Sequence, residues 1–429
     1  MTTLTEPTTT GGVASQLATA LRPFVGGDLP VRLVAWDGSA AGPEHAPAVE
    51  LRSPEALRRL LWHPGELGAA QAYVTGELDV PGDLDAALTH AFSVAADRGL
   101  SGGRPPARAL ASAVRTALEM KVVGPRPAPP ATQARVKGRL HSKRRDRSAI
   151  SHHYDVPSAF YELILDPAMA YSCGYHRDAT VSLEEAQHAK LDLVCLKLGL
   201  KPGMRLLDVG CGWGALSLHA AEHFGVDVVG VTISTEQQRF AQAAAERRGL
   251  SDRVDFRICD YRDAVPAAGQ EYDAVASLEM GEHVGQANYG TYAGVLRSAV
   301  RPGGHVLVQQ MSRGGKWPGG GPFIESFIAP DMHMRPVGET VGMLEAAGLE
   351  VRDVHALREH YVQTVAGWIE RFEQNHDELE AMVGPEMMRV WRLYLVGGSM
   401  SFRDGRMGVD QILLVRPGAP HSLPPVRSW

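Results

Sequence analysis

The sequence predicts an α/β protein: a Rossmann-like, doubly wound sheet with helical insertions, preceded by a small N-terminal α/β or α+β domain. Three observations carry this expectation. From about residue 181, short apolar runs of strand length alternate with longer segments at helical spacing. A glycine-rich turn, "DVGCGWG", follows the first of those strands. The 429 residues, 44% hydrophobic and 21% charged, suffice for two or three domains of ordinary globular composition.

In chain order, residues 1–14 are Thr/Gly-rich and read as a disordered N-terminus. Residues 15–99 read as the small domain: "PVRLVAW" and "AVELRS" as strands, "SPEALRRLLWHP" as a helix opened by a serine cap, and "DLDAALTHAFSVAAD" as another helix. Residues 100–147 form a linker, Pro/Gly-rich at "SGGRPPAR" and "VGPRPAPPAT", with "ALASAVRTALEMKVV" helical between them. The linker ends in "RVKGRLHSKRRDR" (135–147), with seven Lys/Arg against one Asp. That run reads either as a solvated linker or as a patch for anionic phospholipid headgroups.

Residues 148–429 read as the second domain. "MRLLDVGCG", "VDVVGVTIS", "VDFRICD", "YDAVASLE" and "HVLVQQ" are its strands. Between them "WGALSLHAAEHFG", "TEQQRFAQAAAERRG" and "YGTYAGVLRSAVRPGG" are helices, each ended by glycine or Pro-Gly-Gly. Such alternation predicts a parallel sheet with ligands at the carboxyl ends of its strands. A Met/Trp/Leu-rich helical region over 360–400 follows, and "VDQILLVR" completes the sheet.

The bulk numbers exclude several classes. A net charge of −6 gives no global reason to expect nucleic acid as partner. The start "MTTLTEPTTTGG" lacks the basic and apolar regions of a signal peptide. No apolar run reaches the roughly 18 residues of a membrane span. The expectation is a cytoplasmic protein whose membrane contact, at the inner face, is peripheral. Cys173, Cys195, Cys211 and Cys259 show no CxxC spacing, so they read as reduced thiols, with no metal site.

The segment "LLDVGCGWGALS" (206–217) is the most informative. Gly210, Gly212 and Gly214 let the backbone turn sharply and approach a ligand closely. The spacing is G-x-G-x-G, not the G-x-G-x-x-G of a dinucleotide fold. Asp208, just before the glycines, suits the ammonium of an amino-acid moiety better than a pyrophosphate. The stretch resembles motif I of the class I S-adenosylmethionine (SAM) methyltransferases. Under that resemblance Cys211 belongs to the same turn, Thr232, Ser234 and Gln237 face the ribose, Asp260 accepts from the adenine amino group, and Tyr261 covers the ring.

Further motifs narrow the family. "HYDVPSAFYELILDPAMAYSCGYH", "LKPGMRLLDVGCGWGALS", "VVGVTISTEQQ", "DYRD", "EHVG" and "NYGTY" occur in that order. The run resembles the cyclopropane fatty acid synthases, which use SAM to methylenate unsaturated phospholipid acyl chains. "GELGAAQAYVTGELDVPGDL" resembles the same family's N-terminal lipid-binding domain. The resemblance implies that Tyr154, Tyr171 and Ser172 contact SAM. It implies a bound bicarbonate as base, held by Cys173, Glu282, Tyr361 and the backbone of Met311. The family's remaining ligand is a histidine, and here its place is taken by Gln309, which cannot carry a proton charge. Trp317 would line the acyl channel or anchor a lid.

The chemistry explains these residue types. An isolated alkene that takes a methyl group becomes a carbocation, which aromatic faces and a carboxylate stabilise. A base must then remove a proton. A related actinomycete group forms 10-methylene fatty acids, the cation migrating by hydride shift before proton loss. The Gln309 exchange, the "GGKWPGGGPF" loop and the Ala/Gly/Arg-rich style favour that product over a ring. A non-catalytic lipid-binding protein and a methyltransferase of small polar substrates are the other readings. The family further implies a homodimer, and a methylene product implies a separate reductase, for which this chain has no dinucleotide fingerprint.

Overall fold

Seven strands form the sheet on which the glycine-rich turn sits. The computed structural model describes residues 12–100, 114–147, 156–314, 318–427 and 429. These fall into two compact units: residues up to 133 with Gly384–Gly397, and Ala134–Val383 with Gly398–Trp429. The N-terminus expected to be disordered falls almost wholly outside the described residues, and so does the first third of the helix expected before Val123.

The first unit is α+β. Strands β1 (Arg32–Val34), β2 (Ala40–Ala41), β3 (Ala48–Leu51) and β4 (Leu78–Asp79) lie in the order β2-β1-β3-β4. Helix Pro54–Trp62 starts where Ser53 accepts from the Glu55 amide, with proline at its first turn. Helix Leu84–Asp97 is capped by Asp83. Ala56 of the first of these helices packs in a core with Leu17, Leu29, Leu33, Leu51 and Ala72. Among the described residues, no helix is long and apolar enough to cross a membrane.

The second unit holds β5 (Arg205–Val209), β6 (Asp227–Thr232), β7 (Val254–Ile258), β8 (Tyr272–Leu278), β9 (Val300–Ser312), β10 (Glu350–Ala356) and β11 (Gly408–Val415). Their order is β10-β11-β9-β8-β5-β6-β7. The sheet is parallel from β7 to β9, but β11 runs antiparallel to both β9 and β10. The expected all-parallel sheet is therefore a mixed one. The reason is topological: β11 follows the helix that ends at Arg403 through a short turn and enters between two strands from the opposite end. Pro302-Gly303-Gly304 does not separate helix from strand; it is a register shift inside β9.

Helices cover both faces. On one, Leu191, Val194 and Leu198 of helix Leu183–Leu198 pack with Leu206, Leu218 and Phe256. On the other, Tyr289, Tyr292 and Leu296 pack with Val275, Val306 and Ile412. Burial on both sides is what makes the central strands near-continuous apolar runs. All four cysteines are free thiols.

Candidate active site

β5 ends at Asp208-Val209, and the chain then turns through three residues with positive φ: Gly210 (+82°), Gly212 (+55°) and Gly214 (+89°). The amides of Gly210 and Cys211 both donate to the carbonyl of Val231 at the end of β6. This ties the two strand ends together and opens a cavity beside them. Tyr171, Ser172, Asp208, Gly210, Cys211, Gly212, Thr232, Gln237, Asp260 and Tyr261 all line it. Two further expected residues serve the walls. Gly214 begins helix Ala215–Phe224 against the Phe256 ring, and Ser234 caps helix Thr235–Arg247 by accepting from the Gln237 amide. Tyr154 and Trp317 lie outside the described residues.

The cavity suits a cofactor with an amino-acid end and a purine end. Asp208 is buried and accepts from the Ser217 hydroxyl at 2.8 Å. Burial pushes its carboxyl up to about 6, against the opposing pull of Ser217 and Lys190, so an arriving ammonium would restore its charge. Thr232 spends its hydroxyl on its own loop, donating to Gln237 Oε1 at 2.9 Å and accepting from the Ser234 amide. Asp260 accepts from Arg262 Nε at 2.7 Å and Nη2 at 2.8 Å. Burial pushes that carboxyl up, but the Arg262 bonds together win and hold it below the usual range. Tyr261 packs edge-on against Tyr292 at 5.7 Å.

A polar cluster reaches the same cavity from the end of β8. Its centre is Glu279, a lining residue that the sequence did not single out. Its Oε1 accepts from the Cys173 amide at 2.8 Å and from Gln309 Nε2 at 2.8 Å, and its Oε2 accepts from the Tyr361 hydroxyl at 2.6 Å. Burial raises its pKa against these three donors and the nearby Lys190 ammonium. Gln309 is itself oriented by Gln411 of β11, which stands opposite it and donates to its Oε1 at 2.9 Å. Glu279 has φ +50°, a region that non-glycine residues seldom occupy outside constrained sites.

The expected base-binding set therefore divides. Cys173, Gln309 and Tyr361 converge on Glu279. Met311 and Glu282 pair with each other, the Met311 amide donating to Glu282 Oε1. Glu282 is fully buried, and its Oε2 has no partner among the described residues. Burial, reinforced by the neighbouring Glu279, pushes it up to about 8. The Cys173 thiol points at the Gly174 and Leu357 carbonyls, and burial holds it well above the ordinary thiol range, so it is no nucleophile.

Lys190 is a second residue the sequence did not single out. It is 1% exposed, lines the cavity, and donates to Ser172 Oγ at 2.9 Å. Burial lowers its pKa, while Glu279, Asp166, Cys173 and Asp208 act to keep the ammonium charged. Around this polar core stand aromatic rings. Tyr171 lies 5.3 Å from Trp368, and Tyr361 stacks on Phe402 at 4.3 Å. Aromatic rings around a buried carboxylate are what a transient carbocation requires.

Comparison with known proteins agrees with this geometry. The family model described as mycolic acid cyclopropane synthetase matches residues 141–412. A probable fatty acid methyltransferase of Mycobacterium tuberculosis is 38% identical over 416 residues, covering 94% of this chain and 95% of its own. The tuberculostearic acid methyltransferase of the same organism is 32% identical over 413 residues, covering 91% and 89%. The solved mycolic acid cyclopropane synthase CmaA1, complexed with SAH and CTAB, superposes with a TM-score of 0.58 at 29% identity, over 63% of this chain and 98% of that one. Fold, cofactor cavity and relatives concur: the chain is a SAM-dependent methyltransferase and belongs to the mycolic acid cyclopropane synthetase family.

Proposed function

We propose that the protein methylates the double bond of an unsaturated, oleoyl-type phospholipid acyl chain and releases a 10-methylene acyl phospholipid. One observation carries the reading: the buried Glu279 carboxylate, held by Cys173, Gln309 and Tyr361 at the cofactor cavity. These are three of the five groups that the family resemblance assigns to bicarbonate, the other two, Glu282 and Met311, being paired with each other, so the chain carries its own base where a bound anion would otherwise serve. The likeness to a tuberculostearic acid methyltransferase supports the methyl-branched product.

SAM, when bound, supplies an electrophilic methyl group. Asp208 holds its ammonium, and the glycine turn and the β6 end hold the remainder. Tyr171, Trp368, Tyr361 and Phe402 enclose the acyl chain and face the cation left on it after methylation. A hydride moves from the methylated carbon to its neighbour, placing the cation on the branched carbon. Glu279 then takes a proton from the new methyl group, and the C–H electron pair becomes the exocyclic double bond. Gln309, fixed by Gln411, presents an amide that cannot compete for that proton.

The test is product analysis. Incubation with SAM and dioleoyl phospholipid, followed by mass spectrometry of the methyl esters, should give the methylene ester at a rate independent of added bicarbonate. A cyclopropane ester alone would assign ring closure instead. Absence of any alkylated lipid, despite SAM binding by calorimetry, would move the protein to another substrate.

A further inference from the structure

The side chains of the basic segment at residues 135–147 divide into ion-paired and unpaired ones. The half-buried Arg145 and Asp146 and the exposed Lys143 are ion-paired to residues near the cofactor cavity. Lys143 Nζ lies 2.6 Å from Asp263, Arg145 Nε lies 2.6 Å from Asp331, and Asp146 accepts from Arg262 at 2.7 Å. Asp146 and Asp331 themselves line the cavity, and Arg262 also donates to the His141 carbonyl. The end of the segment at Asp146 is therefore part of the cavity wall, and the segment is tied to this unit by ion pairs and is not a solvated linker.

Its outward side differs. Arg135, Lys137, Arg139, Arg144 and Arg147 are all exposed, and none has an ion-pair partner among the described residues. Leu140, between them, is 58% exposed. Uncompensated cations this dense are notable in a chain whose overall charge is −6. Cations around an exposed aliphatic side chain match the headgroup layer of an anionic bilayer, where Lys and Arg meet phosphate and Leu enters the acyl boundary.

We propose that the outer face of residues 135–147 is the surface by which this protein docks on an anionic lipid bilayer, setting the wall of the cofactor cavity against the membrane. The inference rests on the reading that the substrate is a phospholipid. It adds the surface that meets the bilayer and the lipid charge that surface selects.

The test uses the full chain and vesicles of saturated lipid, so that binding is measured without chemistry. Wild-type protein should co-sediment with phosphatidylglycerol vesicles at least tenfold more tightly than with phosphatidylcholine vesicles, and about 0.5 M salt should remove the difference. Combined Arg135→Gln, Lys137→Gln, Arg139→Gln, Arg144→Gln and Arg147→Gln should weaken phosphatidylglycerol binding at least tenfold. Its rate on detergent-dispersed oleoyl phospholipid should stay within twofold of wild type. Equal binding of wild type to both vesicle types overturns the proposal without need of the variant. So does a variant that binds like wild type, or tighter retention by duplex DNA than by anionic vesicles. If vesicle binding behaves as expected but no lipid is methylated, the docking surface stands and the substrate assignment fails.

Discussion

At the scale of the residue, Glu279 carries the argument, and its removal is the sharpest prediction. Glu279→Gln keeps the hydrogen-bonding shape but removes the base. It should lower turnover by about 10²–10⁴-fold, the usual contribution of a positioned base, with SAM affinity by calorimetry within a few-fold of wild type. Glu279→Gly suits the φ of +50° at that position and leaves the Cys173, Gln309 and Tyr361 donors facing an open space. That variant should regain activity on addition of bicarbonate, to which the wild type is indifferent. Gln309→His would replace the amide that stands 2.8 Å from Glu279 Oε1 with a group that can share a proton. The expected result is a shifted ratio of methylene to ring product in the ester analysis; an unchanged ratio would reduce Gln309 to a strand-end amide. Cys173, Gln309 and Tyr361, the donors of this cluster, were legible through the family resemblance. Their acceptor was not. "SLEMGEHVG" offers two glutamates three residues apart, and only the backbone bend at the end of β8 decides that Glu279 turns to the cavity while Glu282 turns to the Met311 amide. Lys190 was hidden for another reason: a lysine within a helix reads as solvated unless the packing of both helix faces is known.

At the scale of the element, the strand–helix alternation was readable because burial on both faces forces continuous apolar strands. Strand direction was not, since "VDQILLVR" has the same pattern read from either end, and it enters antiparallel beside β9. β10 also passed unseen. Its side chains alternate between exposed and half-buried along Glu350–Ala356, the mark of an edge strand with little core to show. The glycine turn, in contrast, makes an element-level prediction that separates backbone from packing. At Gly214 a Cβ would lie 2.7 Å from Phe256 Cζ and 3.1 Å from Ala241 Cβ, at a φ of +89°. At Gly212 a Cβ would meet nothing within 4 Å, at a φ of +55°. Gly214→Ala should therefore cost about 2–4 kcal/mol in urea unfolding, from strain and overpacking together. Gly212→Ala should cost only the backbone strain, about 1 kcal/mol. Equal costs at the two sites would mean that the Phe256 contact does not hold the turn.

At the scale of the whole molecule, buried ionisable groups make stability depend on pH in two opposed ways. Burial holds His176, His219 and His305 below the ordinary imidazole range and His283 down to about 4. Near pH 5–6 the unfolded chain binds more protons at these sites than the native one, so stability rises with pH toward about 6.5. Glu282 acts in the other direction. Its native carboxyl titrates at about 8 and keeps its proton where the unfolded chain has lost it. The native state then binds more protons, so the stability this group contributes is complete below about pH 4.5 and is lost as pH rises through 8. At pH 6.5 the imidazoles of the unfolded chain are still about half protonated, so the histidines oppose the carboxyl at the lower end of the interval from pH 6.5 to 8.0, and they do so equally in a variant that lacks the carboxyl. The loss that this carboxyl alone contributes over that interval should reach about 1.6 kcal/mol, at about 1.4 kcal/mol for each pH unit in which one proton separates the two states. Glu282→Gln, always neutral, should abolish most of it while preserving the hydrogen bond from the Met311 amide. The measurement is the urea midpoint of both proteins at pH 6.5 and 8.0. A wild-type midpoint that falls no further than the variant's would mean that Glu282 is ionised in the native state. Glu279 would then share its site with a second full negative charge, and its own proton affinity, on which the final step of the reaction depends, would be set by that neighbour as much as by Cys173, Gln309 and Tyr361.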